Sequence, residues 1–339
     1  MREYGFELSL CARLEDDERI VARQLGAAVH GRRIADVVVV EPGPAFDDRV
    51  AITPDRIPAP AVESDVGPGT AVPVTEAFDC HPERARAIAD RAVEQGFFER
   101  ERRGGRAYVR QTVRYPDWFD GLVGVENKPD LGRPGDLRDQ LRTDVSLGVF
   151  DRVILATASH VTGAHRNRIP DEVGIWRFDP ETGEREVLRE PEPLETDSPG
   201  IELLDRDGTG ADVRPVTAAE KARCRRRIAE RAYGKGWRTY DPPACTQCTP
   251  DADPFHDADA GLPYCAWKDR IVHPAEECGP DCSGYDPEDA TTENGTDADA
   301  NADDPPGAGL DAIRAARTPW DPDPEGVARQ QSGLDRFTE

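Results

Sequence analysis

An α/β fold is what this sequence predicts, and three observations predict it. Ile34-Ala35-Asp36-Val37-Val38-Val39-Val40 is a β-branched run that reads as a buried strand. Two more strand-like runs, 122–128 and 153–157, lie on either side of a helical stretch at 136–147. Phe6, Leu8, Leu10 and Leu14, then Ile20, Val21, Leu25 and Val29, recur at mixed helical spacings and predict helix over 3–30. Strands separated by helices of this length imply a mixed sheet flanked by helices.

The remaining elements follow in order. Residues 41–75 are rich in Pro and Gly and predict loops with short extended pieces. Pro82 at the first helical position opens a helix over 81–95. Two alternating runs, 97–103 and 106–111, flank Gly104-Gly105 and predict a hairpin. A helix followed by an arginine-rich hairpin resembles the second half of a winged-helix unit. Residues 160–168 predict a short helix, and 173–178 with 186–188 a closing hairpin turned at Thr182-Gly183. Thr217 and Glu220 form a capping box opening a basic helix over 217–234. The expected organisation is a core in two parts, 1–58 and 121–190, around an insertion at 59–120. Linker and basic helix occupy 191–243, and cysteines crowd 244–283. Residues 284–309 have almost no apolar content and are expected to be a disordered acidic linker. A tail at 310–339 ends the chain.

The chain has 339 residues, with 67 Asp+Glu against 43 Lys+Arg and a net charge of -24. Only Lys128, Lys221, Lys235 and Lys268 are lysines. Such an acid excess ordinarily argues against nucleic acid, whose phosphates repel a negative surface. An acidic, lysine-poor, arginine-retaining composition also resembles that of proteins from salt-in halophilic archaea, where acid excess is a solubility adaptation. At molar salt the Debye length is about 3 Å, so net charge does not exclude DNA. No stretch of about 20 apolar residues exists, which excludes a spanning helix. The N-terminal segment lacks a charged region followed by an apolar one. A soluble, cytoplasmic protein without a membrane partner is expected.

The sharpest chemistry lies in Asp36 on one predicted strand and Glu126-Asn127-Lys128 on another. Residues i and i+2 of a strand share a face, so Glu126 and Lys128 emerge side by side. Pairing the two strands brings Asp36 beside them. Two converging carboxylates repel and favour a hard divalent cation such as Mg²⁺ or Mn²⁺. An adjacent ammonium orients the attacking water and stabilises a phosphorane-like transition state.

This set resembles the PD-(D/E)XK (restriction-endonuclease-like) nuclease superfamily. That superfamily has a helix, a three-stranded meander carrying the Asp and the Glu-x-Lys, a helix and a further strand. The resemblance covers about residues 1–190. It implies Mg²⁺-dependent phosphodiester hydrolysis, with Asp36 and Glu126 holding metal and Lys128 positioning water. It further implies an acidic residue on the first helix, Glu7 here, and a Gln on the helix after the motif strand, Gln140 here. One departure stands out: ninety residues separate Asp36 from Glu126, and the insertion is assigned to that gap. The whole set also resembles a group of haloarchaeal proteins without an assigned activity.

Five of eight cysteines fall close together, as Cys245-Thr-Gln-Cys248, Cys265 and Cys278-Gly-Pro-Asp-Cys282. Clustered cysteines in an intracellular chain suggest metal rather than disulfides. Zn²⁺ is one reading. An iron–sulfur cluster is the other, because some nucleases of the resembled superfamily carry a four-Cys cluster. His256 and His273 are spare ligands, and Cys11 is a distant one.

Local positive charge gathers in the basic helix, where Arg223, Arg226 and Arg227 are expected to meet DNA phosphates. Arg103 and Arg106 in the hairpin are expected to do the same, with Tyr115, Trp118 and Phe119 available to stack on bases. Gln331, Leu334 and Phe337 stand at i, i+3, i+6 near the end of the chain. That spacing resembles the sliding-clamp-binding peptide called the PIP box, with Thr338 in place of its second aromatic. The expected function is a metal-dependent DNA nuclease of repair or replication, tethered to the clamp. The competing class is a non-catalytic DNA-binding or regulatory protein with a structural zinc and a decayed nuclease fold.

Overall fold

The computed structural model describes residues 3–287, apart from 16–18, 51–56, 63, 65, 68, 113–116, 207–209, 242–244 and 250–259, and also Ile313. The order begins α1 (Glu3–Leu14), β1 (Ile20–Gly26), β2 (Ile34–Pro42), α2 (Phe46–Val50), α3 (Ala59–Val62), β3 (Val72–Pro73), α4 (Pro82–Glu94), β4 (Phe98–Arg103) and β5 (Arg106–Gln111). It continues β6 (Phe119–Asn127), α5 (Leu137–Leu147), β7 (Arg152–Thr157), α6 (Gly163–Arg166), β8 (Gly174–Phe178), β9 (Arg185–Arg189), β10 (Gly200–Arg206), β11 (Ala211–Val216) and α7 (Ala218–Lys235). The C-terminal elements are β12 (Cys248–Thr249), β13 (Tyr264–Cys265), β14 (Arg270–Ile271) and α8 (Pro274–Glu277).

A mixed α/β arrangement results. Six strands form one sheet in the order β1-β2-β6-β7-β8-β9. The β1–β2, β2–β6 and β8–β9 pairs are antiparallel, and the β6–β7 and β7–β8 pairs parallel. Both faces of its centre are covered, which explains the unbroken Val37–Val40 run. Val37, Val39, Val125 and Ile154 pack with Phe6, Leu8 and Leu10 of α1. Val38, Val40, Leu122 and Leu155 pack on the other face with Leu141 of α5 and Ile228 and Ala232 of α7.

The helix expected over 3–30 ends at Leu14, and residues 20–26 form β1 instead. The apolar spacing there is compatible with either period, and pairing of Ile20 with Val40 through Gly26 with Ile34 decides it. That strand supplies the third member of an antiparallel meander. Its alternation breaks once. Ile20, Ala22 and Leu25 all lie on the α7 face, and left-handed Gln24 (φ 52) absorbs the change of phase.

The segment between β2 and β6 carries a second sheet, β3-β5-β4, with α4 packed against it. Gly104 (φ 54) and Gly105 (φ 81) occupy left-handed positions that make the hairpin turn tight. Buried Glu230 of α7 fastens this segment to the core. It accepts Trp118 Nε1–H at 2.7 Å and Arg49 Nε–H at 2.9 Å. The region read as linker after 191 contains the β10–β11 ribbon, where Ile201, Leu204 and Val213 are exposed and Val216 is buried in the core. The basic helix is α7, opened by the Thr217–Glu220 capping box, and its apolar stripe lies on the sheet. The cysteine-rich segment forms a small sheet, β12-β13-β14, resting on α1 through Ile271 and the Tyr4–His273 ring contact. The linker expected to be disordered from 284 starts later: Tyr285 N–H bonds Cys282 O and Thr246 bonds Asp286, so its first residues close the cysteine segment, while 288 onward and, apart from Ile313, the tail lie outside the described residues.

Candidate active site

The site forms where β2 and β6 part. Their register pairs Val37 with Val125, so Asp36 and Glu126 stand in the next row. Asp36 Oδ2 accepts the Asn127 backbone N–H at 3.0 Å, which ties its carboxylate to the end of β6. Gln24, between the pairs Arg23–Val37 and Leu25–Ala35, completes this row from β1. Its left-handed backbone turns the side chain towards α1, where Gln24 Nε2 donates to Glu7 Oε2 at 2.9 Å.

Glu7 is buried in α1 and accepts three donors. Besides Gln24, Arg23 Nε donates at 2.5 Å and Asn127 Nδ2 at 2.8 Å. Lys128 follows the strand; its N–H still bonds Ala156 O at 2.9 Å, and its Nζ donates to Glu3 Oε1 at 3.3 Å. Gln140 is half-buried on α5, one turn before Asp144. Thus Glu7, Asp36, Glu126 and Lys128 gather at one end of the sheet, with Gln140 on the neighbouring helix.

Sequence reasoning missed Arg33 and Asp144. Arg33 Nη2 donates to Glu126 Oε2 at 2.6 Å and to Asp144 Oδ2 at 2.7 Å. Neither residue belongs to a motif, and a turn arginine and a helix aspartate carry no pattern that would single them out. Asn127, Arg23 and Gln24 were also unforeseen; only Asn127 had a signal, as the middle residue of Glu-x-Lys.

Burial sets the electrostatics. It pushes Asp36 up to about 6, with Glu7 adding repulsion and the Asn127 N–H and Arg33 opposing. Burial, then Asp36, pushes Glu126 up to about 8 against the pull of Arg33. Asp144 is raised by burial and held in check by Arg33. Lys235 on α7 is lowered to about 8 by burial and by Arg23, and its Nζ donates to Arg23 O and Gln24 O at 2.8 and 2.9 Å.

This donor set fits a hard divalent cation. Among the described residues no hydrogen bond reaches Asp36 Oδ1 or Glu126 Oε1, and buried Asn127 Oδ1 has no partner. Two carboxylates with open oxygens suffice for Mg²⁺, which keeps waters and takes substrate phosphate oxygens. No three His, Cys, Asp or Glu side chains among the described residues are arranged to hold an ion by themselves.

A family of unknown function, DUF5787, matches residues 20–287. The chain belongs to this family. No curated protein matches the chain, and no solved structure does. The DUF5787 match contains Asp36, Glu126, Lys128, Gln140 and all five clustered cysteines, and it begins after Glu7.

Within the DUF5787 span the cysteines lie together without a finished ligand set. Cys248 pairs in register with Cys265, and Cys245, Cys248 and Cys265 are buried. Burial first, then the Cys278, Cys265 and Cys245 thiols, pushes Cys248 up to about 12. Cys282 lies at the edge, half-buried. Cys11 is buried inside α1, where it packs with apolar residues of the sheet. His273 caps α8, and His256 lies outside the described residues.

The arginines are differently employed. Arg227 Nη2 donates to Ala28 O at 2.6 Å, and Arg223 and Arg226 also have partners. Arg223 and Arg227 line a cleft of about 680 Å³, together with Arg84 of α4 and the acidic Glu76, Asp79 and Glu220. Arg103 at the hairpin tip is ion-paired with Glu101 and lies over Tyr108, and Arg106 pairs with it in register. Trp118 and Phe119 belong to the core rather than to a stacking surface, and Tyr115 lies outside the described residues. Gln331, Leu334 and Phe337 also lie outside them.

Proposed function

We propose that the chain is a divalent-cation-dependent DNA nuclease with a PD-(D/E)XK-type core. The observation that carries this reading is the opposition of Asp36 and Glu126 at the mouth of β2 and β6, with Lys128 two residues on, just past the strand and paired with Glu3 of α1. The order α1, β1, β2, β6, α5, β7 supports it, because it supplies a helix, a three-stranded meander, a helix and a parallel strand.

Asp36 and Glu126 would hold the cation, which would supply charge neutralisation and a more acidic bound water. Lys128 orients the attacking water and stabilises negative charge as it develops on the phosphoryl oxygens. Glu7 anchors Arg23, Gln24 and Asn127 around the strand end. Gln140 holds a non-bridging oxygen or the water. Cys245, Cys248, Cys265, Cys278 and Cys282 lie near one another without a finished ligand set; closed on Zn²⁺ or an iron–sulfur cluster they would brace α1, against which that segment packs. Strand β3 beside the β4–β5 hairpin, with α4 behind, supports a winged-helix role for the insertion. DNA runs along the arginine cleft, and the tail engages the sliding clamp.

A second reading has one observation in its favour. Arg33 already neutralises Glu126, as a fold retained for binding alone would allow. The two separate on branched, nicked and single-stranded DNA with Mg²⁺ or Mn²⁺ in molar salt. Cleavage by the wild type and its loss in Lys128→Ala are expected. Equal cleavage by both, or none by either, rejects the nuclease.

A further inference from the structure

Arg33 touches both buried carboxylates between the sheet and α5. Its Nε and Nη2 grip Asp144 at 2.9 and 2.7 Å, and Nη2 also reaches Glu126 Oε2 at 2.6 Å. A planar fork held at two points has one orientation. Its side chain is 9% exposed, so solvent hardly competes.

The turn that carries Arg33 is fastened as well. Glu202 on β10 accepts the N–H groups of Val29, His30 and Gly31 at 2.8, 2.8 and 3.0 Å. Gly31 keeps this contact close, since a Cβ there would stand 3.3 Å from Glu202 Oε1. Arg227 bonds Ala28 O from α7. The β10–β11 ribbon and α7 thus hold the turn, and α5 holds the guanidinium that it carries.

We infer that Arg33 is a positioning residue that holds Glu126 by Oε2 and leaves Oε1 as its one oxygen for a cation. The inference rests on the cation site proposed above. A carboxylate held this way is a monodentate donor. That suits a small octahedral ion such as Mg²⁺ or Mn²⁺, whereas Ca²⁺ readily takes bidentate carboxylates and higher coordination. Arg33 therefore sets which divalent ion the site prefers.

The test is titration calorimetry of Mn²⁺ and Ca²⁺ on the full chain in molar KCl. The wild type should bind Mn²⁺ more tightly than Ca²⁺. Arg33→Met with Asp144→Leu replaces the buried pair by apolar groups of similar size, which folds tend to tolerate. That double variant should lose at least tenfold in Mn²⁺ affinity and narrow the Mn²⁺-to-Ca²⁺ ratio. Arg33→Lys keeps the charge without the fork and should narrow the ratio in the same direction, which a purely structural role would not do. It also serves if the double variant does not fold. An unchanged ratio in Arg33→Lys, or unchanged Mn²⁺ affinity in a folded double variant, overturns the inference alone. Wild type that binds Mn²⁺ no better than Asp36→Asn overturns the cation site, and the inference with it.

Discussion

Replacing Glu126 by Gln should stabilise the cation-free chain, and only at high pH. Burial and Asp36 raise Glu126 from 4.5 to about 8, so the folded chain retains a proton that the unfolded chain releases. Stability from this group is therefore lost as pH rises from the unfolded value through about 8. At about 1.4 kcal/mol per unit, the ceiling of that loss is about 5 kcal/mol. Part of it is repulsion shared with Asp36, so removing one charge returns about 2–4 kcal/mol. For a chain of this size that is a Tm gain of about 3–6 °C. The assay is thermal unfolding from pH 5 to pH 9 in buffer freed of divalent ions. Wild-type Tm should fall across this window, Glu126→Gln should stay flatter, and the two should converge near pH 5. Added Mn²⁺ should raise the wild type at pH 8.5 and leave the variant unmoved. Parallel pH profiles would refute the reasoning, because the raised pKa would then have no energetic counterpart.

Three other outcomes are expected. Glu230→Ala removes the acceptor of Trp118 and Arg49 and should cost about 3–5 kcal/mol, read as a Tm fall of about 4–7 °C by calorimetry. Cys248→Ser should lower bound zinc by about one equivalent per chain, measured by colorimetric release, and speed amide exchange in α1. Arg103→Ala and Arg106→Ala should each leave Tm within about 2 °C and lower the salt slope of DNA binding by about one; an unchanged slope removes the hairpin from the interface.

Where local chemistry dominates, the sequence was legible. The Val37–Val40 strand, the Gly104-Gly105 hairpin, the Pro82 helix start and the Thr217 capping box each follow from steric or hydrogen-bonding rules within a few residues. The placing of Asp36 and Glu126 on paired strands was also readable, because a carboxylate within a largely apolar strand stands out. Residues 20–26 were not readable, since their apolar spacing serves helix or strand until a partner strand is present. The basic helix was legible only in part. Arginine count says nothing of destination, and in the fold Arg225 bonds Val149 O and Asp151 while Arg227 bonds Ala28 O.

The sequence by itself determined most element types, the two-sided burial of the central strands and the presence of Asp36 and Glu126 on them, because these depend on side-chain type and short-range spacing. Only the tertiary structure decided that Arg33 and Asp144 join Glu126, that Glu7, Gln24 and Asn127 form one hydrogen-bonded group, and that Glu202 pins a turn from more than 170 residues away. Those contacts are fixed by sheet register, a left-handed residue and helix packing. They cost chain entropy that only the assembled core repays, so no local pattern records them.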